Sequence, residues 1–329
     1  MKRKFVFLLL LCTALLLCAC GNRQVEEPLS GQTVEEMVKE DTVQSEPIQI
    51  GERIYDPKTD VQTILLMGID HDDVNQGGGN LFSGQADTLA LLVIDHAGKT
   101  YRLLPINRNT LCDVNVLSLS GDVIGTHTME LCLAHCYGNG GADSCENTVA
   151  AVSGLLLGTH IDSYAALYMD ALPLLNDAVG GVTVTIEDDF SQEDPTLVLG
   201  QTVTLTGQQA YHYLRGRMQV GDGLNEGRMR RQQTYVSAYL TAAREKLQSD
   251  KSFVATLYQQ LQPYLVANLS GKDINNLAQL MTSYRNDGFV SLAGKSQIVD
   301  NHQQFLVDEE SLYATLKELF YNERLFSMS

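Results

Sequence analysis

Three short, predominantly apolar runs constrain this 329-residue chain more than any other feature. Residues 63–69 read TILLMGI, residues 88–94 read TLALLVI and residues 100–106 read TYRLLPI. Each has the length of a strand rather than a helix, and their composition predicts buried strands. Helical segments follow. Residues 144–157 form the first, and residues 170–179 the second, stopped by Gly180-Gly181. Thr206 with Gln209 makes a capping-box start for a third, ending near Leu214, and residues 225–246 form a long fourth. Residues 164–169 and 182–186 read as further strands, and two or three more helices with short strands fill the rest. Strands and helices intermix throughout, so the class is mixed α/β (α+β) with a layered sheet.

The N-terminus carries a second message. Met-Lys-Arg-Lys precedes a short apolar run that ends in Leu17-Cys18-Ala19-Cys20-Gly21. A basic segment, a short apolar segment and small residues before a cysteine predict a lipoprotein signal over residues 1–20, with Cys20 as the acylated residue. Two acyl chains hold a protein to a membrane durably. The chain has 23 basic and 40 acidic residues; loss of Lys2, Arg3 and Lys4 with the signal leaves 20 against 40, a net charge of −20. A surface this acidic excludes a nucleic-acid partner. Residues 21–55, rich in glutamate and poor in aromatics, read as a disordered acidic tether, and residues 56–329 as one domain. Four cysteines of that domain, Cys112, Cys132, Cys136 and Cys145, predict up to two disulfides in an exported protein, with zinc held by them and nearby histidines as the alternative.

The chemistry concentrates in five arginines within seventeen residues: Arg215, Arg217, Arg228, Arg230 and Arg231. Arg228, Arg231 and Gln232 share one helix face by spacing. An extended segment after the third helix would point Arg215 and Arg217 the same way. Guanidinium forks grip phosphate oxygens two at a time, so converging pairs predict a diphosphate site. The other reading is a set of solvated arginines paired with the many carboxylates. Asp70 follows the first strand and Asp87 precedes the second. If those strands pair antiparallel, both carboxylates reach one sheet edge, where they can share Mg²⁺; otherwise each caps a turn. His71, Asp72 and Asp73 read as solvated loop, and Gly77, Gly78 and Gly79 as a flexible lid, with no P-loop lysine after them. Arg108, in Asn107-Arg108-Asn109-Thr110, joins the carboxylates only if the third strand ends at their rim.

These segments, ILLMGID (64–70), ADTLALLVID (86–95), INRNT (106–110), LAHCYG (133–138), ENTVAAVSGLLLGTHIDSYAAL (146–167), NDAVGGVTVTI (176–186), LTGQQAYHYLRGR (205–217) and GRMRRQQ (227–233), resemble in order and spacing the LytR-CpsA-Psr family of Gram-positive-type cell envelopes. The resemblance spans about residues 61–240, leaving 241–329 as a C-terminal extension. It implies a central mixed sheet sandwiched by helices, with a long apolar pocket for a lipid tail. It implies a phosphotransferase that moves a glycopolymer (teichoic acid, capsule or another wall glycan) from a polyprenyl-diphosphate-linked donor onto a peptidoglycan acceptor with Mg²⁺. By the same resemblance Asp70 and Asp87 hold the metal or activate the acceptor. Arg108, Arg215, Arg217, Arg228 and Arg231, with Gln232, clamp the diphosphate, and Asp87, Arg108 and Arg217 carry the catalysis. The expected place is the extracytoplasmic membrane face, anchored through Cys20 rather than the family's usual membrane helix.

Three positions depart from the family pattern. Gln85 stands where an arginine is usual, Asn107-Arg108-Asn109 replaces Pro-Arg-Asp, and no lysine is evident near Thr126–Thr128. Two alternatives therefore stand beside the ligase: a degenerate, regulatory binder of polyprenyl diphosphate, and a lipid pyrophosphatase that uses water as acceptor.

Overall fold

The computed structural model describes residues 45–70, 84–118, 120–138, 140–250 and 252–324. The signal with Cys20, the tether up to residue 44, His71, Asp72, Asp73 and the glycine run lie outside these. Among the described residues the elements follow in the order β1 (Ile48–Ile50), β2 (Arg53–Pro57), β3 (Val61–Asp70), β4 (Gln85–Asp95), β5 (Thr100–Ile106), β6 (Leu111–Leu117), β7 (Val123–Glu130), α1 (Ala142–Leu155), β8 (Ser163–Tyr168), α2 (Leu172–Ala178), β9 (Val182–Thr185), β10 (Thr202–Leu205), α3 (Gly207–Arg215), α4 (Asn225–Ser249), α5 (Phe253–Leu261), β11 (Leu265–Ala267), α6 (Gly271–Ser283), β12 (Arg285–Phe289), β13 (Gly294–Val299), β14 (His302–Val307), α7 (Glu309–Leu319) and β15 (Tyr321–Glu323).

The apolar runs become the centre of a six-stranded mixed sheet, ordered β11-β8-β3-β4-β5-β12. Both of its faces are covered, which is why these strands are apolar at nearly every position. Ile64 and Leu66 of β3, with Ala90, Leu92 and Ile94 of β4, enter one core with α2 through α6, where Tyr213, Tyr235 and Tyr239 are fully buried. Leu65, Met67 and Ile69, with Leu89, Leu91 and Val93, enter the other. A 3-10 segment (Leu131–Tyr137), α1 and α7 cover that second face. The sandwich implied by the resemblance is the observed architecture.

Several boundaries moved. Residues 48–55 belong to the fold: β1 pairs with β2, and β2 pairs with β15 near the C-terminus. Tyr55 is buried in the second core, so the predicted tether cannot extend to residue 55. The predicted disulfides are not formed; Cys112, Cys132, Cys136 and Cys145 are all free and buried. A chain with two large cores does not need such staples to fold. No group of three or more metal-ligating side chains occurs among the described residues. None of the described helices is long and apolar enough to cross a membrane.

The capping box at α3 forms as predicted: Thr206 Oγ1 accepts from the Gln209 amide, and Gln209 Oε1 accepts from the Thr206 amide. The β6–β7 and β13–β14 hairpins were not read from the sequence. Asp300 and Asn301 adopt φ of 49° and 63° between the paired Val299 and His302, a two-residue turn that Asp and Asn tolerate.

Candidate active site

β3 and β4 pair antiparallel, so Asp70 and Asp87 do share one sheet edge. The pairing slips there. Gly68 faces Thr88 and Ile69 faces Ala86, so Asp87 is the extra residue of a β-bulge. A bulge re-aims a side chain and leaves it outside the ladder. Asp87 is thereby 9% exposed and set among guanidinium groups.

Arg228, from the first turn of α4, places Nη1 2.6 Å from Asp87 Oδ2, while its Nη2 donates to the Asp87 carbonyl at 3.2 Å and to Asn225 Oδ1 at 2.8 Å. Arg108, just past β5, brings Nε to 3.0 Å from Asp87 Oδ1; this is an ion pair without hydrogen-bond geometry. Nη2 of Arg108 donates to Gln85 Oε1 and lies 2.9 Å from Cys132 Sγ. Burial pushes the Asp87 pKa up, but the charges of Arg228 and Arg108 outweigh it and hold the carboxyl below its ordinary value. Asp70 behaves oppositely: burial and the nearby Asp87 charge raise its pKa, against the opposing pull of Arg215. Arg215 Nη2 lies 2.7 Å from Asp70 Oδ1, and its guanidinium stacks on Tyr211.

Arg217 completes the group. Its Nη2 donates to Gln303 Oε1 at 2.9 Å, and burial and the charges of Arg228 and Arg108 lower its pKa. Its Nε is buried with no partner among the described residues. Arg108, Arg215, Arg217 and Arg228 thus surround two carboxylates, an excess of positive charge suited to a polyanion. The N-terminus of α4 adds its partial charge to the same place. Asn225 Nδ2 donates to Asn107 Oδ1 at 2.9 Å, tying α4 to the segment that carries Arg108.

Two sequence expectations need correction. Arg231 does not join this cluster. It is 3% exposed, its Nη1 pairs with Asp188 at 2.6 Å, its Nε and Nη2 donate to the Tyr213 and Gly216 carbonyls, and it stacks on Phe190. One helix face holds Arg228 and Arg231, but each long side chain reaches its own counter-charge. Arg215 and Arg217 do not run in parallel either. Arg215 is the last residue of α3 rather than part of an extended segment. Gln232 donates to Thr88 Oγ1 and to the Leu214 carbonyl, each at 3.3 Å, and holds α4 against β4.

Two cavities meet at Arg108. One is a narrow crevice of about 30 Å³ between sheet and α4, lined by Leu89, Ala90, Leu103, Ile106, Met229 and Phe289. The other is an open polar cleft of about 490 Å³ between Glu130, Cys132 and Leu133 on one side and the β13–β14 turn on the other. The sequence reading missed Asn225, Gln303 and this cleft. Only the Asp300-Asn301 turn pair hinted at the hairpin that builds it.

Comparison with known proteins places the chain among relatives of one family. The LytR_cpsA_psr family model matches residues 28–321. A teichoic acid transferase TagU of Halalkalibacterium halodurans is 30% identical over 54% of this chain, which spans only 52% of that protein. A TagU of Enterococcus faecalis, named a polyisoprenyl-teichoic acid–peptidoglycan teichoic acid transferase, is 27% identical over 78% of each chain. Among solved structures, the family protein YwtF (TagT) with bound octaprenyl pyrophosphate lipid aligns with a TM-score of 0.54 and 25% identity, covering 79% of this chain and 89% of that one. With a family model covering most of its length and a buried arginine–aspartate cluster at the sheet edge, the chain belongs to the LytR-CpsA-Psr family.

Proposed function

We propose that the chain transfers a glycopolymer, with one phosphate, from a polyprenyl diphosphate to a peptidoglycan hydroxyl and releases polyprenyl phosphate. The observation that carries this reading is the meeting of an apolar crevice and a polar cleft at Arg108, beside Asp87 and Arg228. A substrate that is lipid at one end, glycan at the other and doubly charged between matches that sequence of surfaces. The crevice is too narrow as it stands for an isoprenoid tail, so α4 and the sheet must part to admit one.

The acceptor oxygen attacks the glycan-bound phosphorus, and the bridging P–O bond to the lipid phosphate breaks. Such transfer depends mainly on positioning and on neutralising phosphate charge. Arg108 and Arg217 face the cleft and suit the transferred phosphate. Arg228, locked on Asp87, fixes the position of Arg108. Asp87, with both oxygens on guanidiniums and a lowered pKa, is an anchor rather than a base. Asp70, half-exposed and with raised proton affinity, is the carboxylate to take the acceptor's proton. Asp70 and Asp87 are the residues that would hold Mg²⁺ together with donor phosphate oxygens, with Asp87 releasing a guanidinium contact to do so. When bound, it would neutralise charge on the departing phosphate.

In this reading an acylated Cys20 and the acidic segment after it hold the domain at the outer face of the membrane. The test is transfer by purified chain with Mg²⁺, using a labelled lipid-diphosphate-linked disaccharide and peptidoglycan. A wall conjugate plus polyprenyl phosphate supports the ligase. Free glycan phosphate identifies a pyrophosphatase instead. No P–O–P cleavage by protein that still binds the lipid leaves a regulatory binder, a reading favoured by neutral Gln85 taking an Arg108 hydrogen bond.

A further inference from the structure

We infer that Cys132, together with Gln85, is a positioning residue for Arg108: the two uncharged side chains set which way its guanidinium fork points at the diphosphate. The inference rests on the proposed transfer reaction and deepens it, since both residues act through Arg108 rather than on the phosphates.

A guanidinium carries five N–H donors in one rigid plane, so holding one end aims the other. The contact with Asp87 does not do this. Arg108 Nε lies 3.0 Å from Asp87 Oδ1 but without hydrogen-bond geometry, and such a contact sets distance rather than direction. The other oxygen of Asp87 is taken by Arg228 at 2.6 Å. Direction comes from Nη2. It donates to Gln85 Oε1 and, at 2.9 Å, to Cys132 Sγ, which uses both of its hydrogens. Cys132 Sγ lies 3.9 Å from Gln85 Oε1, so the two acceptors close on Nη2 from two sides. Nη1 is left for a phosphate oxygen, in the cleft that Gln85, Arg108 and Cys132 line together.

The thiol is itself fixed in place. The Cys132 amide donates to the Arg108 carbonyl at 2.9 Å, so this one residue touches Arg108 at both backbone and side chain. The 3-10 segment that carries it is also pinned to the chain entering β4. Cys136 Sγ lies 3.4 Å and His135 Nδ1 3.0 Å from the carbonyl of Gly84, the neighbour of Gln85. Cys132 is 3% exposed, and burial pushes its thiol up to about 12 against the pull of Arg108. The sulfur therefore stays protonated and orients the guanidinium without cancelling its charge. A carboxylate in the same place would orient Arg108 equally well and spend the charge that the diphosphate needs.

The experiment uses the full-length chain in detergent and measures the affinity for inorganic pyrophosphate by titration calorimetry. Cys132→Ala removes the sulfur acceptor and Cys132→Ser keeps an acceptor there. Arg108→Lys keeps the positive charge but has no fork to aim. The expected result is about fivefold weaker binding in Cys132→Ala, the scale of one misaligned charge-assisted hydrogen bond, with Cys132→Ser within about twofold of wild type. In the Arg108→Lys background Cys132→Ala should cost nothing further, because its route to the ligand is gone. A cleft wall that had merely loosened would weaken both backgrounds alike. Gln85→Ala, at the half-buried partner, repeats both comparisons without touching the core. Unchanged affinity in Cys132→Ala, no rescue by serine, or equal losses in the two backgrounds overturns the inference while leaving the diphosphate site intact. Wild type that binds neither pyrophosphate nor polyprenyl diphosphate overturns the proposed transfer reaction, and the inference with it.

Discussion

Asp87→Asn separates an anchoring carboxylate from a catalytic base. In the wild-type structure Asp87 neutralises Arg228, whose side chain is 3% exposed, and Arg108, at 10%. The asparagine keeps the shape, and the backbone contact from Arg228 at 3.2 Å survives. What disappears is the only carboxylate among the described residues that contacts both guanidiniums. Breaking a buried pair by removing one partner costs about 3–5 kcal/mol, because the remaining charge is stranded. Arg108 borders the open cleft and can draw water, which places the loss near the lower end, about 3 kcal/mol. Urea unfolding should then shift its midpoint down by about 1 M. The stranded arginines should also take an anion more readily, so inorganic pyrophosphate should bind the variant about tenfold tighter than wild type and restore much of the lost stability. A general base would behave otherwise: the variant would keep its midpoint and pyrophosphate affinity and lose turnover alone. A midpoint within about 0.2 M of wild type, with unchanged pyrophosphate affinity, would refute the anchoring role.

The same pair sets an acid limit. The Asp87 pKa is lowered on folding, so its contribution is complete above the unfolded value of about 3.9 and is lost only as pH falls through the lower native value. Acid unfolding followed by circular dichroism should accordingly show a transition below about pH 4 that weakens in Asp87→Asn. Arg231→Met should destabilise by about 3 kcal/mol through loss of the Asp188 pair, yet the protein that remains folded should bind polyprenyl diphosphate as wild type does; weakened binding would return Arg231 to the clamp. Thr206→Ala should cost about 1 kcal/mol in urea unfolding through the lost capping box. Burial pushes the thiols of Cys112, Cys132 and Cys145 up to about 12 and that of Cys136 up to about 11. All four should resist alkylation at pH 8 until the chain is unfolded, as mass spectrometry of labelled peptides would show.

Local chemistry made much of the fold legible from the sequence. The runs at 63–69, 88–94 and 100–106 read as buried strands, since segments this short and this predominantly apolar need cover on both faces. The Thr206–Gln209 box marked the start of α3, and Asp70 and Asp87 fell at one edge because a hairpin reverses the chain. The arginine cluster was visible as a reversal of sign in an acidic chain. Which arginine meets which carboxylate was not visible, because a guanidinium on a long side chain chooses partners by distance, and Arg215 and Asp70, for instance, are 145 residues apart in sequence (215 − 70). Helix spacing placed Arg228 and Arg231 on one face, yet Arg228 reached Asp87 and Arg231 reached Asp188. The bulge at Asp87, the Asn225 link to Asn107 and the Gln303 contact with Arg217 each arise where separate elements pack. The sequence by itself determined the layers and the kind of charge at the site. Only the tertiary structure decided which charges are neutralised in place and which remain to bind an anion.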